Sequence, residues 1–289
     1  MRLMPVSIRG FFHEPTFSVS YLVADAASRS AAVIDAVLDY DAKSGRTSTS
    51  NADAILAAAA ADGLTVTLIL ETHVHADHVS AASYLKQRTS ARIGIGAKVT
   101  EVQSTFAKVF NLGAAPSEGR PFDLLLREGD HILLGGSRFT VWETPGHTPA
   151  CISYLIDDAI FVGDTLFMPD YGTARCDFPG GDAAMLYRSI QRMFTLPPST
   201  RMFLCHDYKS PGRDEYVWET TVDAQRSANL HIKAGTGEAD FIAMRQGRDK
   251  TLSLPVLIIP AVQFNIRAGA VPPPESNGVS YLKVPVNIL

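Results

Sequence analysis

The placement of the histidines constrains this chain more than any other feature. The segment THVHADH, residues 72–78, carries three histidines and one aspartate directly after Val66–Leu70, an apolar run that predicts a buried strand. Further groups of metal-ligand type also follow predicted strands: His147 in TPGHT, Asp164 in GDTLF and His206 in HDY. Layered α/β folds form their sites at strand ends, and imidazole and carboxylate bind zinc, iron or manganese. The sequence therefore predicts one metal pocket at an edge of the sheets.

Apolar runs and turn signals along the chain predict strands alternating with helices, the pattern of an α/β layered fold. Gly135-Gly136 and Asp157-Asp158 each lie between two apolar runs and predict β-hairpins. The polar stretch between Ala36 and Asn51 predicts a long loop, and the proline-rich tail from Leu254 predicts little helix. The expected helices are an alanine-rich one from Asn51 to Ala61, then Val79–Arg88, Ala97–Phe110, Asp182–Phe194, Asp214–Leu230 and Ala239–Arg248.

Composition narrows the possible function classes. Apolar residues make up 46% of the 289, enough for a large core, and the net charge of −4 offers no positive excess to neutralise a nucleic-acid backbone. No apolar run reaches the roughly 20 residues that a bilayer requires, and the N-terminus lacks the apolar core of a secretory signal. The odd number of cysteines fits a reducing compartment. We therefore expect a cytoplasmic protein without a membrane or nucleic-acid partner.

Residues 1–235 are expected to form a catalytic domain, and residues 236–289 a C-terminal extension packed on that domain.

The motifs THVHADH, TPGHT and GDTLF, together with the strand-end His206, resemble the metallo-β-lactamase superfamily over about Met4 to Leu230. The resemblance implies an αββα sandwich, in which two mixed sheets lie between layers of helices and the metals lie at one edge. It also implies the ligands of a dinuclear site, with His73, His75 and His147 on one metal, Asp77, His78 and His206 on the other, and Asp164 as the bridge.

Two branches of the superfamily act on glutathione derivatives, and three features here are similar to the persulfide dioxygenases. GTARCDF, residues 172–178, resembles their Gly-X-X-Arg-X-Asp-Phe stretch, of which glyoxalase II replaces the Asp-Phe part. His206-Asp207-Tyr208 stands where glyoxalase II usually reads Gly-His-Glu-Tyr. PAVQFNIR, residues 260–267, resembles the dioxygenase tail rather than the helical cap of glyoxalase II. Cys176 departs from the human-type enzymes, and we expect a structural or pocket thiol there.

The dioxygenase resemblance implies one Fe(II) per chain, held by His73, His147 and Asp164, a set that leaves positions open for substrate and O₂. The implied reaction oxidises glutathione persulfide with O₂ to sulfite and glutathione. The resemblance makes Tyr208 a catalytic and substrate-steering residue. It makes Arg175 either a partner of a substrate carboxylate or, through Asp177, a holder of its own loop. The residues that would surround the ligands with hydrogen bonds are His75, Asp77, His78 and His206.

The same residues leave two other functions open. With two zinc ions bridged by Asp164, the chain would be a glyoxalase II-like hydrolase of glutathione thioesters, in which metal-activated water attacks the acyl carbon. The polar stretch after Ala36 is similar to a bacterial subgroup called β-lactamase-like hydrolases. The non-catalytic alternative is a metal-binding sensor or assembly subunit, and the complete set of ligand positions argues against it. Relatives are often dimers, so the resemblance implies a homodimer.

Overall fold

Two β-sheets lie face to face in the computed structural model, and helices cover the outer side of each. The structure describes residues 6–112 and 116–288, so the start of the expected catalytic domain, including Met4, lies outside the described residues. The strands are β1 (Ser7–His13), β2 (Ser18–Asp25), β3 (Ser30–Ile34), β4 (Val37–Asp41), β5 (Arg46–Ser48), β6 (Thr65–Leu70), β7 (Val79–Ser80), β8 (Arg92–Gly96), β9 (Leu124–Leu126), β10 (His131–Leu134), β11 (Ser137–Glu143), β12 (Ile152–Ile156), β13 (Ala159–Phe161), β14 (Arg201–Phe203) and β15 (Glu219–Thr221). The helices are α1 (Ser50–Ala61), α2 (Ala82–Thr89), α3 (Val99–Val109), α4 (Ala183–Met193), α5 (Val222–Ala228), α6 (Glu238–Asp249) and α7 (Ile258–Asn265).

The first sheet has the strand order β1-β2-β3-β6-β8-β9 and is mixed. Strands β1, β2 and β3 pair antiparallel, whereas β3, β6, β8 and β9 pair parallel. Successive side chains of a strand face opposite sides of the sheet. In β6, Ile69 accordingly packs with α1, α2, α3 and α7, whereas Leu68 and Leu70 pack between the sheets.

The second sheet has the order β10-β11-β12-β13-β14-β15 and is antiparallel apart from the parallel pair β13 and β14. Phe139, Tyr154 and Phe161 pack between the two sheets, and Leu186 of α4 packs with Phe241 of α6 on the outer side. These layers confirm the predicted αββα sandwich with two mixed sheets. Among the described residues, no helix combines the length and apolarity that crossing a membrane requires.

The expected loop between Ala36 and Asn51 is wrong, because most of it forms the β4–β5 hairpin. Two buried apolar residues, Val37 and Leu38, anchor β4, which also pairs with β7. The Asp41 carboxylate closes the hairpin turn by accepting hydrogen bonds from the Lys43 N–H and from the Ser44 hydroxyl. The polar residues of this stretch indicated a loop, but they are polar because most of the hairpin is exposed to solvent.

Helices α2 and α5 begin three and eight residues later than the sequence predicts, and the tail contains a helix that was not expected. Helix α2 begins at Ala82 because Val79–Ser80 pairs with β4. Helix α5 begins at Val222, since Glu219–Thr221 pairs with β14 and the Thr221 hydroxyl caps the helix. Helix α7 includes Pro260, which is tolerated in the first turn because the N–H groups there have no partner within the helix.

Candidate metal centre

The predicted ligand residues meet where strands of both sheets end. His73, His75, Asp77 and His78 follow β6 of the first sheet, and His147, Asp164 and His206 follow β11, β13 and β14 of the second. Six of these seven side chains are buried, and Asp77 is nearly so. The structure therefore brings together all seven ligand-type residues that the sequence singled out.

One group of ligand atoms consists of two imidazole nitrogens and one carboxylate oxygen. Asp164 Oδ2 lies 3.8 Å from His73 Nε2 and 3.7 Å from His147 Nε2. The ligand atoms of these three residues lie within 4.8 Å of one another, so a single ion can contact all of them. This is the set that the dioxygenase resemblance implies.

The other oxygen of Asp164 faces a second group. Asp164 Oδ1 lies 3.4 Å from His206 Nε2, which in turn lies 3.1 Å from Asp77 Oδ2. The ligand atoms of Asp77 and His78, together with those of His75, form a further cluster within 4.8 Å. Asp164 thus stands between two groups of ligand atoms, as a bridging carboxylate does.

Buried polar atoms in this pocket fit a bound metal. Six buried nitrogen and oxygen atoms of the ligand-type residues have no hydrogen-bond partner among the described residues. A buried polar atom without a partner costs free energy. A metal ion satisfies such atoms. The ligand-type atoms concerned are His73 Nε2, His75 Nδ1, Asp77 Oδ2, His78 Nε2, Asp164 Oδ1 and His206 Nε2.

Hydrogen bonds at the opposite ring nitrogens fix how the imidazoles face the pocket. The His147 Nδ1–H donates to the Arg175 carbonyl at 2.8 Å, and the His206 Nδ1–H donates to the Phe17 carbonyl at 3.2 Å. His78 Nδ1 lies 3.1 Å from the Ser18 hydroxyl. Such partners set the tautomer and orientation of metal-binding histidines. The unprotonated Nε2 of His147 and of His206 is therefore directed at the pocket.

His75 is held in the reverse orientation, by residues that the sequence analysis missed. Its Nε2 lies 3.1 Å from Asp35 and 3.5 Å from Glu71, which leaves Nδ1 for the pocket. Burial lowers the pKa of His75, but the two carboxylates together outweigh burial and raise it well above its usual value. Asp35 also accepts hydrogen bonds from the Thr72 N–H and hydroxyl, so it fixes the start of the ligand loop. The sequence could have indicated a role for Asp35, because this residue comes directly after the apolar run of β3.

Burial keeps the His73 and His78 imidazoles neutral, the form that metal binding needs. Burial, and then the charge of His75, lowers the pKa of His78 to about 4. The same causes hold the pKa of His73 well below its usual value. Both rings can therefore offer a lone pair at neutral pH.

A cavity of about 870 Å³ opens onto the ligands and is lined by Asp77, His147 and Asp164 at its floor. The Tyr208 ring lines it and stacks on the His206 ring, with centroids 5.4 Å apart. Burial, followed by the nearby carboxylates, raises the pKa of Tyr208 well above its usual value, so the phenol keeps its proton. Tyr208 thus lines the cavity as a neutral phenol.

Arg175 also lines the cavity, but three of its five N–H groups already have partners within the protein. Its guanidinium pairs in a fork with the Asp177 carboxylate, at 2.6 Å for Nη2, and Nη1 donates to the Ser253 carbonyl at 2.6 Å. The Arg175 carbonyl supports His147. These contacts favour the loop-holding role that the sequence left open beside the substrate role. The neighbouring Cys176 is a buried thiol whose pKa is raised by burial, so it is not a thiolate.

We expect Arg175→Lys to lower metal content and kcat/KM together, by about 10-fold in kcat/KM, because lysine cannot reproduce the fork that holds the loop behind His147. Elemental analysis and steady-state kinetics measure both. The matched control is Arg192→Lys, which breaks a similar fork with Glu128 on the outer surface and should change neither quantity. Full metal content with a raised KM would support pairing with substrate instead.

Comparisons with known proteins find relatives in one superfamily. Residues 13–206 match the family model of the metallo-beta-lactamase superfamily. A probable metallo-hydrolase of Burkholderia pseudomallei is 52% identical over 98% of this chain and 100% of its own length. Glyoxylase B2 of Dictyostelium discoideum is 45% identical over 93% and 92%, and the mouse mitochondrial persulfide dioxygenase ETHE1 is 30% identical over 94% and 92%. The crystal structure of ETHE1 from Myxococcus xanthus matches with a TM-score of 0.74 at 33% identity, over 91% of this chain and 100% of that one.

Proposed function

The chain belongs to the metallo-beta-lactamase superfamily, and from that premise we propose that it is a persulfide dioxygenase. Such an enzyme oxidises glutathione persulfide with O₂ at one Fe(II), and water then releases sulfite and glutathione. The observation that carries the proposal is the convergence of His73, His147 and Asp164 on one point. Two imidazoles and one carboxylate leave coordination positions open, as in non-haem Fe(II) oxygenases. The similarity to ETHE1 proteins, in sequence and in fold, supports the same reaction.

Fe(II), when bound, supplies the redox chemistry that joins the outer sulfur to O₂. The chain's own part is to hold the ion and to orient the persulfide. His73, His147 and Asp164 hold the ion in the proposed function, and the neutral phenol of Tyr208 donates a hydrogen bond to the substrate. His78 and His206 remain available for hydrogen bonds, because their Nε2 atoms face the pocket without a partner among the described residues.

The cavity supports a small-molecule substrate of peptide size. Its volume of about 870 Å³ lies within the range of known ligand pockets. Tyr171, Phe167 and Tyr208 form an aromatic wall in mutual contact, with the Tyr171 and Tyr208 centroids 5.0 Å apart. The hairpin β4–β5 and the segment 252–257 line other sides. This shape suits a thiol-bearing peptide such as glutathione, whose sulfur must reach the floor.

Two measurements on anaerobically purified protein test the proposal. We expect about one iron per chain by elemental analysis, and O₂ uptake on an oxygen electrode that depends on glutathione persulfide and yields sulfite. Metal-free protein is the control and should consume no O₂ above the spontaneous rate. Iron-loaded protein without persulfide-dependent uptake would contradict the proposal.

A hydrolase of glutathione thioesters is the second candidate, favoured by the position of Asp164 between two groups of ligand atoms. His206 Nε2 lies 3.4 Å from Asp164 Oδ1 and 3.1 Å from Asp77 Oδ2, so these residues offer ligand atoms for a second ion. Two relatives are named as a metallo-hydrolase and a glyoxylase. Two zinc ions per chain, with rapid turnover of S-lactoylglutathione and no O₂ uptake, would establish this function instead. Under either proposal we expect the protein to be a cytoplasmic homodimer. Size-exclusion chromatography with light scattering tests the dimer.

A further inference from the structure

We propose that Asn265, in the C-terminal helix α7, is a positioning residue for the metal centre, because its side chain fixes the backbone of the loop that carries His75, Asp77 and His78. The proposal concerns the assembly of the site and holds for either candidate reaction. It links the C-terminal tail, which contributes none of the ligand-type residues, to metal binding.

The carboxamide of Asn265 uses each of its polar groups on the ligand loop. Nδ2 donates to the His75 carbonyl and to the His78 carbonyl, both at 2.8 Å, and Oδ1 accepts from the Ser80 N–H at 2.8 Å. The side chain is buried, with 4% of the residue exposed. The loop between two ligand residues is thus closed by a single side chain from a distant part of the sequence.

A chain of polar contacts also connects Asn265 to the imidazole of His75. The Ser80 hydroxyl donates to Glu71 Oε1 at 2.8 Å, and Glu71 Oε2 lies 3.5 Å from His75 Nε2. Asn265 therefore fixes the backbone of His75 directly and connects through Ser80 and Glu71 to its ring. The ligand atoms must lie within a few tenths of an ångström of the positions that bind the metal. Loss of these contacts lets the ligand atoms move and therefore weakens metal binding.

The packing around α7 leaves the loop little freedom to adjust. A Cβ added to Gly269 would come within 2.1 Å of the Ser80 carbonyl oxygen, so the backbone after α7 touches the end of the ligand loop. The Ser83 N–H donates to the Ala268 carbonyl at 2.9 Å. The contact between tail and loop is thus continuous from His75 to Ser83.

Asn265→Asp tests the proposal by replacing the two N–H donors with an acceptor that faces two carbonyl oxygens. The matched control is Gln263→Glu, in the same helix and equally buried, whose amide bonds to the Ile259 and Lys283 carbonyls rather than to the ligand loop. Both variants should lower the apo-protein Tm. Only Asn265→Asp should raise the Kd for Co²⁺, by about 10–100-fold, in a titration of the apo-protein against a chromogenic chelator.

Hydrogen exchange of the apo-protein supplies a readout that does not depend on a metal. The amides of residues 72–80 should exchange faster in Asn265→Asp than in Gln263→Glu. Asn265→Ala, which removes the donors without adding charge, decides the question by the same comparison if Asn265→Asp does not fold. An Asn265 variant with the parent's Co²⁺ affinity, or equal losses of affinity in the Asn265 and Gln263 variants, would overturn the proposal.

Discussion

The Asp164→Ala protein is expected to fold and to lose its metal together with its activity. Asp164 places one oxygen 3.7 Å from His147 Nε2 and the other 3.4 Å from His206 Nε2, so its removal opens both groups of ligand atoms at once. We expect kcat/KM to fall at least about 1,000-fold, or roughly 4 kcal/mol at 1.36 kcal/mol per tenfold change. Metal content after dialysis, by elemental analysis, should fall to the level of the chelator-treated parent.

Two further histidine variants make this expectation specific. His131→Ala removes an exposed histidine of β10 and should keep metal and activity. His206→Ala distinguishes one bound ion from two, because His206 belongs only to the second group of ligand atoms. It should keep most of the iron if one ion lies at His73, His147 and Asp164, and should halve the metal content if two ions are present. An Asp164→Ala protein that keeps its metal would contradict the placement of both groups around this carboxylate.

The ligands could be found in the sequence because each belongs to a short motif at the end of an apolar run. His147 comes four residues after β11 and His206 three residues after β14, so the strand pattern was enough to place both at one edge of the sheets. The alternation of predicted strands with predicted helices likewise predicted the layers. These parts of the fold are local in sequence, and local patterns therefore suffice to predict them.

The supporting residues could not be found in the same way, because their partners are far away in the chain. Asn265 bonds to a carbonyl 190 residues earlier, and Asp35 bonds to His75 across 40 residues. The motif PAVQFNIR drew attention to the tail only by resemblance, and its composition suggested an irregular segment rather than helix α7. Arg175 shows the same limit, since its spacing from Asp164 says nothing about the Ser253 carbonyl that occupies its Nη1.

The second large effect is expected from Gly146→Ala, in the TPGHT motif. Gly146 has φ of +145°, and an added Cβ would lie 2.4 Å from both the backbone N and Cα of Leu186 in α4. The backbone fixes the position of the added Cβ, and two of the atoms it meets are backbone atoms of Leu186, so a side-chain rotation cannot relieve the clash. The Gly146 carbonyl also accepts the N–H of Asp182, the residue that caps α4. We expect unfolding of the apo-protein by urea to show a loss of about 3 kcal/mol or more.

Gly129→Ala separates the clash from the backbone strain that any side chain meets at positive φ. Gly129 has φ of +80°, and nothing lies within 4 Å of its added Cβ, so this variant should lose only about 1 kcal/mol. The difference between the two losses of unfolding free energy measures the cost of the clash between the TPGHT turn and α4. Because His147 follows Gly146, relief of the clash moves a ligand, and Gly146→Ala should also bind Co²⁺ more weakly than Gly129→Ala. Equal losses of stability in the two variants would show that α4 yields freely and that the turn does not depend on it for its position.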